Sequence, residues 1–272
     1  MAARLPAPGD PRALYLLDLS CFIYRFFATV QRGAAQCFIE FVAKVMRTQR
    51  PAFFAVCTDT PWPTFRHELA PKRDDKTGYK AQRPPPDVNL LEQIRHAKEL
   101  LEDVFGLPIY ARKGFEADDL IATLAQQAQA EGMKVVILAH DKDLMQLVND
   151  ECVLWDGKGR VTGPDEVVEK FGVRPDQLGD YLAIVGDSAD NVPGLRGAGP
   201  KAAVEILGEH QTLAYALDLA GSSYSSPFFQ RRPRYREMLR TEREAVLLSK
   251  KLVTLADNVP IDWNLEELRF SP

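Results

Sequence analysis

The interpretation of this chain of 272 residues begins with one stretch, Gly114-Phe115-Glu116-Ala117-Asp118-Asp119-Leu120-Ile121-Ala122. Apolar residues at helical spacing predict a helix that begins near Glu116 and buries Ala117, Leu120, Ile121, Leu124 and Ala128. Its first turn carries three carboxylates. Acids favour a helix N-terminus, but a third acid repels the other two unless a cation lies between them. The cluster alone is therefore compatible with either a charged first turn or a site for a hard cation.

Further acids follow short apolar runs that are typical of buried parallel strands. The runs cover residues 13–17, 52–57 and 134–138, and the acids that follow them are Asp18, Asp59, Asp141 and Asp143. Ligands of open α/β sheets bind at the carboxyl ends of the strands, so we expect these acids to meet at one edge of a sheet. Two more acids, Asp187 and Asp190, follow a predicted helix that begins at Pro175.

Taken alone, the net charge of −4 argues against a nucleic-acid partner. Nine of the acids, however, belong to the clusters: Asp18, Asp59, Glu116, Asp118, Asp119, Asp141, Asp143, Asp187 and Asp190. Without these nine negative charges, the net charge changes from −4 to +5. If the clustered acids bind metal, the remaining surface is mildly basic, and the composition does not exclude DNA or RNA.

Residues 60–86 lack apolar periodicity and are rich in cations and proline. The most distinctive part of this basic segment is Tyr79-Lys80, followed by Arg83 and three prolines. Two interpretations remain open. The segment is either a solvated surface loop or a mobile basic element that contacts phosphates, with Phe65 or Tyr79 available to stack on bases.

A tight turn with Gly194, Gly197 and Gly199 precedes Pro200, which suits the first position of a helix. The N–H groups of such a helix start bind phosphate. Because the turn follows an acidic pair and lies between two predicted helices, we interpret it as a hairpin that binds a nucleic-acid backbone. The arginines between residues 231 and 243 favour either a solvated helix face or a further nucleic-acid contact.

Three smaller predictions concern local structure. Ser20 is expected to cap the helix that follows Asp18. Residues 253–255 resemble a short strand. His140 is expected to be a hydrogen-bonded structural residue, because every other candidate metal ligand is an oxygen.

The remaining composition is that of a cytosolic globular protein. The four cysteines lack zinc-ligand spacing and are expected to be reduced core residues. No apolar run reaches the roughly 18 residues of a membrane span. Residues 1–12 lack the apolar region of a secretory signal.

Taken together, these blocks resemble the 5′-nucleases fused to the N-terminus of bacterial DNA polymerase I, which are related to flap endonucleases and phage 5′-exonucleases. The resemblance is collinear from about Leu14 to Leu255. It rests on Leu17-Asp18, Tyr24-Arg25, Asp59, Phe65-Arg66, Tyr79-Lys80 with Arg83-Pro84-Pro85, Glu116-Ala117-Asp118-Asp119, Asp141-Lys142-Asp143, Gly186-Asp187-Ser188-Ala189-Asp190-Asn191 and Gly197-Ala198-Gly199-Pro200-Lys201. No polymerase region follows, so the standalone form of the family is expected.

The resemblance implies an α/β fold, with a PIN- or resolvase-like parallel sheet flanked by helices. A C-terminal helical subdomain with a helix-three-turn-helix, a form of helix-hairpin-helix, would bind duplex DNA. We expect the catalytic domain to cover residues 12–163 and the helical subdomain to cover residues 164–272.

The resemblance also implies two divalent cations. An all-carboxylate donor set suits Mg²⁺, with Mn²⁺ as a substitute. The first ion would be surrounded by Asp18, Asp59, Glu116 and Asp118, and the second by Asp141, Asp143, Asp187 and Asp190. Asp119 would lie between the two sites and act in catalysis with Lys80 and Arg83. DNA would be bound by Tyr24, Arg25, Arg66, Tyr79, Lys80, Arg83, Gly194, Gly197, Gly199 and Lys201. The glycine hairpin of this family can also hold a potassium ion beside the DNA.

Three features depart from the family pattern. Leu19 replaces the usual glycine after the first aspartate, the connection after Arg25 is shorter, and residues 72–76 are additional. All three concern the passage for a 5′ end or flap. The sequence therefore does not decide the preference among flaps, nicks and free ends.

The predicted function is that of a metal-dependent, structure-selective 5′→3′ exonuclease and flap endonuclease. It would hydrolyse DNA phosphodiester bonds by a two-metal-ion mechanism in replication or repair. We expect a monomer that acts on 5′ flaps and on nicked or branched duplexes. Two alternatives are a DNA-structure-binding protein without catalysis and a PIN-like ribonuclease. The retained acids argue against the first, and the glycine hairpin with the basic segment argues against the second.

Overall fold

The computed structural model describes residues 2–72, 77–224 and 226–270. The chain divides into two compact units. The first unit comprises Met1–Trp62, Pro85–Asp165 and Leu255–Pro272, and the second comprises Pro63–Pro84 and Glu166–Thr254. Both units are discontinuous in sequence. The consecutive domains expected from the sequence, residues 12–163 and 164–272, remain a prediction. Of the additional residues 72–76, only Lys72 is described; Arg73 and Lys76 of the basic segment lie outside the described residues.

A six-stranded sheet forms the centre of the first unit. Its strands are Ala13–Asp18 (β1), Phe53–Cys57 (β2), Ile109–Tyr110 (β3), Lys134–Leu138 (β4), Cys152–Trp155 (β5) and Val161–Thr162 (β6). The strand order is β3-β2-β1-β4-β5-β6. Strands β1 to β5 are parallel, and β6 pairs antiparallel with β5. The predicted parallel sheet flanked by helices is confirmed, with one antiparallel strand at its edge.

The α-helices are numbered in chain order. They are Leu19–Val30 (α1), Ala34–Gln49 (α2), Phe65–Leu69 (α3), Val88–Leu100 (α4), Ala117–Ala130 (α5), Pro164–Phe171 (α6), Pro175–Val185 (α7), Pro200–His210 (α8), Leu213–Gly221 (α9), Pro227–Arg231 (α10), Pro233–Thr241 (α11) and Arg243–Val253 (α12). Short 3₁₀ helices cover Gln31–Gly33, Asp143–Leu147 and Leu265–Leu268, and a π-helix covers Leu101–Phe105. No helix in these described ranges combines the length and apolarity that a bilayer crossing requires.

Both faces of the sheet are buried. On one face, Tyr15 and Leu17 of β1 share a hydrophobic core with Phe38 of α2 and Leu90 of α4. The alternate residues of β1, such as Leu16, point to the opposite face, where α5 packs against β1 and β4. This two-sided burial explains why the strands appear as continuous apolar runs in the sequence.

The loop between α7 and α8 is closed by backbone contacts in the second unit. Asp187 and Val192 exchange hydrogen bonds, and the N–H of Leu195 donates to the Ile184 carbonyl at 2.7 Å. Gly186 and Gly194 lie back to back, and a Cβ on Gly194 would come within 2.7 Å of the Gly186 nitrogen. Gly194 also has a φ of +69°, so only glycine fits here without strain.

We therefore expect Gly194→Ala to destabilise the protein by about 2 kcal/mol or more, because the added methyl group overpacks the turn. Urea denaturation measures the loss. Gly208→Ala in α8 is the matched control, since a Cβ there meets nothing within 4 Å. Alanine should stabilise the helix at that position by up to about 1 kcal/mol. Equal stability of the two variants would contradict this account of the turn.

Some predicted elements are wrong. Residues 253–255 are predicted as a short strand, but Val253 ends α12. Ser20 is predicted to cap α1, yet Asp18 is the N-cap residue, and its side chain accepts the Cys21 N–H. Helix α3 is not predicted, because it has only five residues. The cysteines agree better with the prediction: Cys57 and Cys152 are buried, Cys21 and Cys37 are partly buried, and all four are free thiols.

Candidate active site

The acids of the first unit meet at the carboxyl edge of the parallel sheet. Asp18 ends β1, Asp59 follows β2 and Asp141 follows β4. Glu116 is the N-cap residue of α5, which follows β3. On one side of β1 the sheet continues with β2 and β3, and on the other side it continues with β4, so the strand order reverses direction at β1. Such a switch point is where open α/β sheets bind ligands.

Asp18 is buried, with a relative exposure of 6%. Its Oδ1 accepts the Cys21 N–H at 3.0 Å, which fixes the side chain at the start of α1. Burial, together with the charges of Asp59 and Asp141, raises the pKa of Asp18 to about 8. The folded protein thus holds the Asp18 carboxyl group in an environment that disfavours its charged form.

Asp118, in the first turn of α5, belongs to the same electrostatic cluster. Desolvation raises its pKa well above the ordinary value, and repulsion from Asp141, Asp18, Asp59 and Glu116 raises it further. Four neighbouring carboxylates are thus close enough to Asp118 to disfavour its charged form. In the part of the chain that the structure describes, no group of three or more acidic, histidine or cysteine side chains is arranged to hold a metal ion. An all-oxygen set with unbalanced negative charge nevertheless fits a hard divalent cation.

Two acids are held by backbone groups. Asp59 Oδ1 accepts the Ala117 N–H at 2.9 Å, which ties the loop after β2 to the first turn of α5. Asp119 is fully buried; its two oxygens accept the Glu116 N–H at 3.0 Å and the Ala256 N–H at 2.9 Å. Asp119 therefore positions the start of α5 in this structure, and its expected place between two metal ions remains a prediction.

The predicted Asp-x-Asp pair follows β4. The Asp143 N–H donates to Asp141 Oδ1 at 2.9 Å, and Asp143 begins a 3₁₀ helix. The Asp141 side chain is exposed, whereas that of Asp143 is partly buried. Asp141 thus joins the charged cluster with one oxygen already accepting a backbone hydrogen bond.

Two of the expected DNA contacts lie on α1. Tyr24 is 50% exposed. Arg25 is also exposed, and its Nη1 lies 2.6 Å from Nε2 of His140. The backbone N–H of His140 donates to Cys21 Sγ. Burial and the nearby positive charge of Arg25 lower the pKa of the His140 imidazole. His140 is thus a hydrogen-bonded structural residue, as the sequence predicts.

In the second unit, three of the predicted site residues come together. Lys80 Nζ lies 3.9 Å from Asp190 Oδ2, and Arg83 forms an ion pair with Asp190 Oδ1. The Lys80 N–H also donates to the Asp190 carbonyl at 3.0 Å. The loop that carries Asp187 and Asp190 thus holds the Tyr79–Arg83 part of the basic segment.

Three of the expected DNA contacts are buried in this structure, and their role in DNA binding remains a prediction. Arg66 is 2% exposed, and its guanidinium donates to the carbonyls of Leu252 and Thr254 at the end of α12. Tyr79 is 4% exposed, so its ring offers no face to a base. The buried Gly194 N–H donates to the Ser249 hydroxyl instead of a phosphate. All three stabilise the second unit in this structure.

Arg66→Met should therefore cost about 3 kcal/mol of unfolding free energy, because it removes a charged donor that hydrogen-bonds the carbonyls of Leu252 and Thr254. Urea denaturation tests this. Arg95→Met is the control, because the ion pair of Arg95 with Glu99 is exposed and contributes little. If Arg66→Met were as stable as Arg95→Met but bound DNA more weakly, the structural role would be wrong.

The other hairpin residues keep positions that suit a DNA contact. Gly197 and Lys201 are exposed. Gly199 caps α8, and Pro200 occupies its first turn, as predicted. Three arginines of the basic stretch between residues 231 and 243 form ion pairs in the structure: Arg232 with Glu205, Arg240 with Glu237 and Arg243 with Asp218. These pairs favour its interpretation as a solvated helix face.

Sequence reasoning misses one cation of the site. Lys98 of α4 is partly buried; burial lowers its pKa, while the negative charges of Asp59 and Glu102 raise it. A positive charge thus lies near one end of the acid cluster. No local motif marks Lys98, because only the packing of α4 places it near Asp59.

Two family models match the chain. The 5′-3′ exonuclease N-terminal resolvase-like domain matches residues 13–172, and the 5′-3′ exonuclease C-terminal SAM fold matches residues 173–272. A 5′-3′ exonuclease of Aquifex aeolicus is 36% identical over 269 residues, which cover 95% of this chain and 87% of that protein. DNA polymerase I of Rhizobium leguminosarum is also 36% identical, and the match covers 95% of this chain but only 26% of the polymerase.

Solved structures support the same fold. A T5 5′-exonuclease with bound zinc has a TM-score of 0.75 and 21% identity, with 90% of each chain covered. A flap endonuclease of bacteriophage T5, in a pseudo-enzyme-product complex with DNA and metal ions, has a TM-score of 0.74 and 20% identity, with 90% of each chain covered.

Proposed function

Because the chain belongs to the 5′-3′ exonuclease family, we propose that it is a metal-dependent nuclease that hydrolyses DNA phosphodiester bonds as a structure-selective 5′→3′ exonuclease and flap endonuclease. The observation that carries this proposal is the cluster of mutually repelling carboxylates at the switch point of the sheet. Related T5 proteins bind divalent metal ions and DNA. A role in replication or repair, as a cytosolic monomer, is part of the proposal.

The oxygen donors match Mg²⁺, which prefers carboxylates and water over imidazole or thiolate, and Mn²⁺ accepts the same ligands. We propose that the first ion is held by Asp18, Asp59, Glu116 and Asp118. For the second ion we propose Asp141, Asp143, Asp187 and Asp190. When bound, such ions activate water and stabilise the departing oxygen of a phosphodiester.

The chain's own cations would bind the substrate phosphates. Lys80 and Arg83 carry their charge next to Asp190 in the DNA-free protein. A DNA phosphate can replace this carboxylate as their partner, because Lys and Arg donate charge-assisted hydrogen bonds to the oxygens of both anions. Tyr24, Arg25, Gly197, Gly199 and Lys201 would position the duplex, and the hairpin at residues 194–199 could hold a potassium ion beside it.

A labelled DNA carrying a 5′ flap tests the proposal. We expect cleavage near the flap junction with Mg²⁺ or Mn²⁺ and none with EDTA. Binding without cleavage would favour the DNA-structure-binding alternative. Preferred cleavage of a matched RNA flap would favour the ribonuclease alternative. Nicked and blunt duplexes in the same gel would separate exonuclease from flap-endonuclease activity.

A further inference from the structure

We propose that Trp62 and Lys113 form a DNA contact at the rim of the carboxylate cluster, where the indole stacks on a nucleobase and the ammonium group binds an adjacent phosphate. This inference rests on the proposed nuclease function, because it names how that site holds its substrate. Neither residue belongs to the motifs that define the family resemblance.

The two side chains form an exposed aromatic–cation pair. Trp62 is 55% exposed, and Lys113 Nζ lies 4.6 Å from the centroid of its ring. Lys113 is also exposed. A single exposed apolar residue is ordinary on a protein surface. A tryptophan beside a surface lysine is more informative, because single-stranded nucleic acids are bound by stacking on aromatic rings together with cations along the backbone.

The position of this pair links it to the acids. Trp62 lies three residues after Asp59, and Lys113 lies three residues before Glu116. The two loops are joined a second time by the 2.9 Å hydrogen bond from the Ala117 N–H to Asp59 Oδ1. The Trp62–Lys113 pair is therefore built on the same two loops that position two of the proposed metal ligands.

Charge explains why a cation is useful at this rim. The clustered carboxylates repel a phosphate that approaches them, and Lys113 carries a positive charge on the loop that leads to Glu116. A DNA strand that reaches the cluster could thus place a phosphate on Lys113 and an unpaired base on Trp62. Both interactions are independent of sequence, which suits an enzyme selective for DNA structure.

Tryptophan fluorescence provides a direct test, because the chain has only Trp62, Trp155 and Trp263, and Trp155 is buried. A 5′-flap DNA is titrated into the full chain with Ca²⁺ in place of Mg²⁺ to prevent cleavage. We expect the DNA to quench the emission of the parent protein. In Trp62→Phe the quenching should disappear while the affinity stays within about threefold, because phenylalanine still stacks.

Affinities of the alanine variants complete the test. Trp62→Ala should weaken flap binding about tenfold. Lys113→Ala should lower the slope of log affinity against log salt concentration by about one, as expected for the loss of one phosphate contact. Tyr224→Ala is the matched control, because Tyr224 is an aromatic residue of the other unit with 61% exposure, and it should bind like the parent. Circular dichroism confirms that each variant is folded.

The inference is overturned if quenching persists in Trp62→Phe, or if Trp62→Ala binds the flap as tightly as Tyr224→Ala. In either case the parent still binds and cleaves DNA, so the proposed function survives. If the parent itself neither binds nor cleaves DNA with any divalent ion, the proposed function fails together with the contact.

Discussion

We expect Asp118→Ala to lower the rate of 5′-flap cleavage by about 10³-fold or more. Asp118 shares its electrostatic environment with Asp18, Asp59 and Asp141, so its loss disrupts the proposed metal site directly. A bound metal ion stabilises a phosphoryl transition state by several kcal/mol, and about 1.4 kcal/mol corresponds to a tenfold change in rate. Single-turnover cleavage of a labelled flap in Mg²⁺ measures the effect.

The control for Asp118→Ala is Glu131→Ala at the other end of the same helix, where the side chain is exposed. This control should cleave at the parent rate. Binding of the flap in Ca²⁺ should still be detectable for Asp118→Ala, which separates catalysis from folding. Cleavage by Asp118→Ala at the parent rate would exclude this carboxylate from the reaction.

The metal-free protein should lose stability as the pH rises from about 4 to about 8. In the unfolded chain Asp18 releases its proton near its ordinary pKa of 3.8, but in the folded protein it does so only near pH 8. Between these values the folded state holds a proton that the unfolded state has lost, so a higher pH favours unfolding. Asp118 acts in the same direction. The expected loss is on the order of a few kcal/mol.

Mg²⁺ should offset that loss, because it binds the deprotonated carboxylates of the folded state. Thermal unfolding is measured across this pH range with EDTA and with Mg²⁺. The gain in Tm from Mg²⁺ should grow as the pH rises, and Asp18→Asn should flatten the slope seen in EDTA. A Tm that is independent of Mg²⁺ at about pH 8 would contradict the cation site.

The sheet and the position of the acids can be predicted from the sequence because their signals are local. Strand β4 is predicted with the bounds that the structure shows, Lys134–Leu138, because burial on both faces makes the strand a continuous apolar run. Helices α7 and α8 begin at Pro175 and Pro200, where proline fits the first turn. Asp18 and Asp59 then follow from the rule that parallel strands carry ligands at their carboxyl ends.

The environment of the basic segment cannot be predicted in this way. Arg66 and Phe65 have the composition of a phosphate- and base-binding loop, yet Arg66 is buried because the end of α12, nearly 190 residues later, presents its carbonyls to it. Gly194 resembles a phosphate-binding glycine, but its close approach to Gly186 gives it a structural role. Such outcomes depend on tertiary packing, which a local motif does not encode.

Helix α12 shows the same limit for secondary structure. Val253-Thr254-Leu255 has the composition of a strand, since β-branched residues favour extended structure. Leu252 and Val253 are instead buried as the last turn of a helix with an apolar face. Packing of α12 against α7 overrides the local preference.

Crystals soaked in Mn²⁺ and measured at the manganese absorption edge test the central claim most directly. We predict an anomalous peak at the carboxyl edge of the sheet, within coordination distance of Asp18, Glu116 and Asp118. Asp118→Asn crystals grown and soaked in the same way should show a weaker peak. An empty carboxyl edge in fully soaked crystals of the parent protein, or manganese bound only elsewhere, would contradict the account.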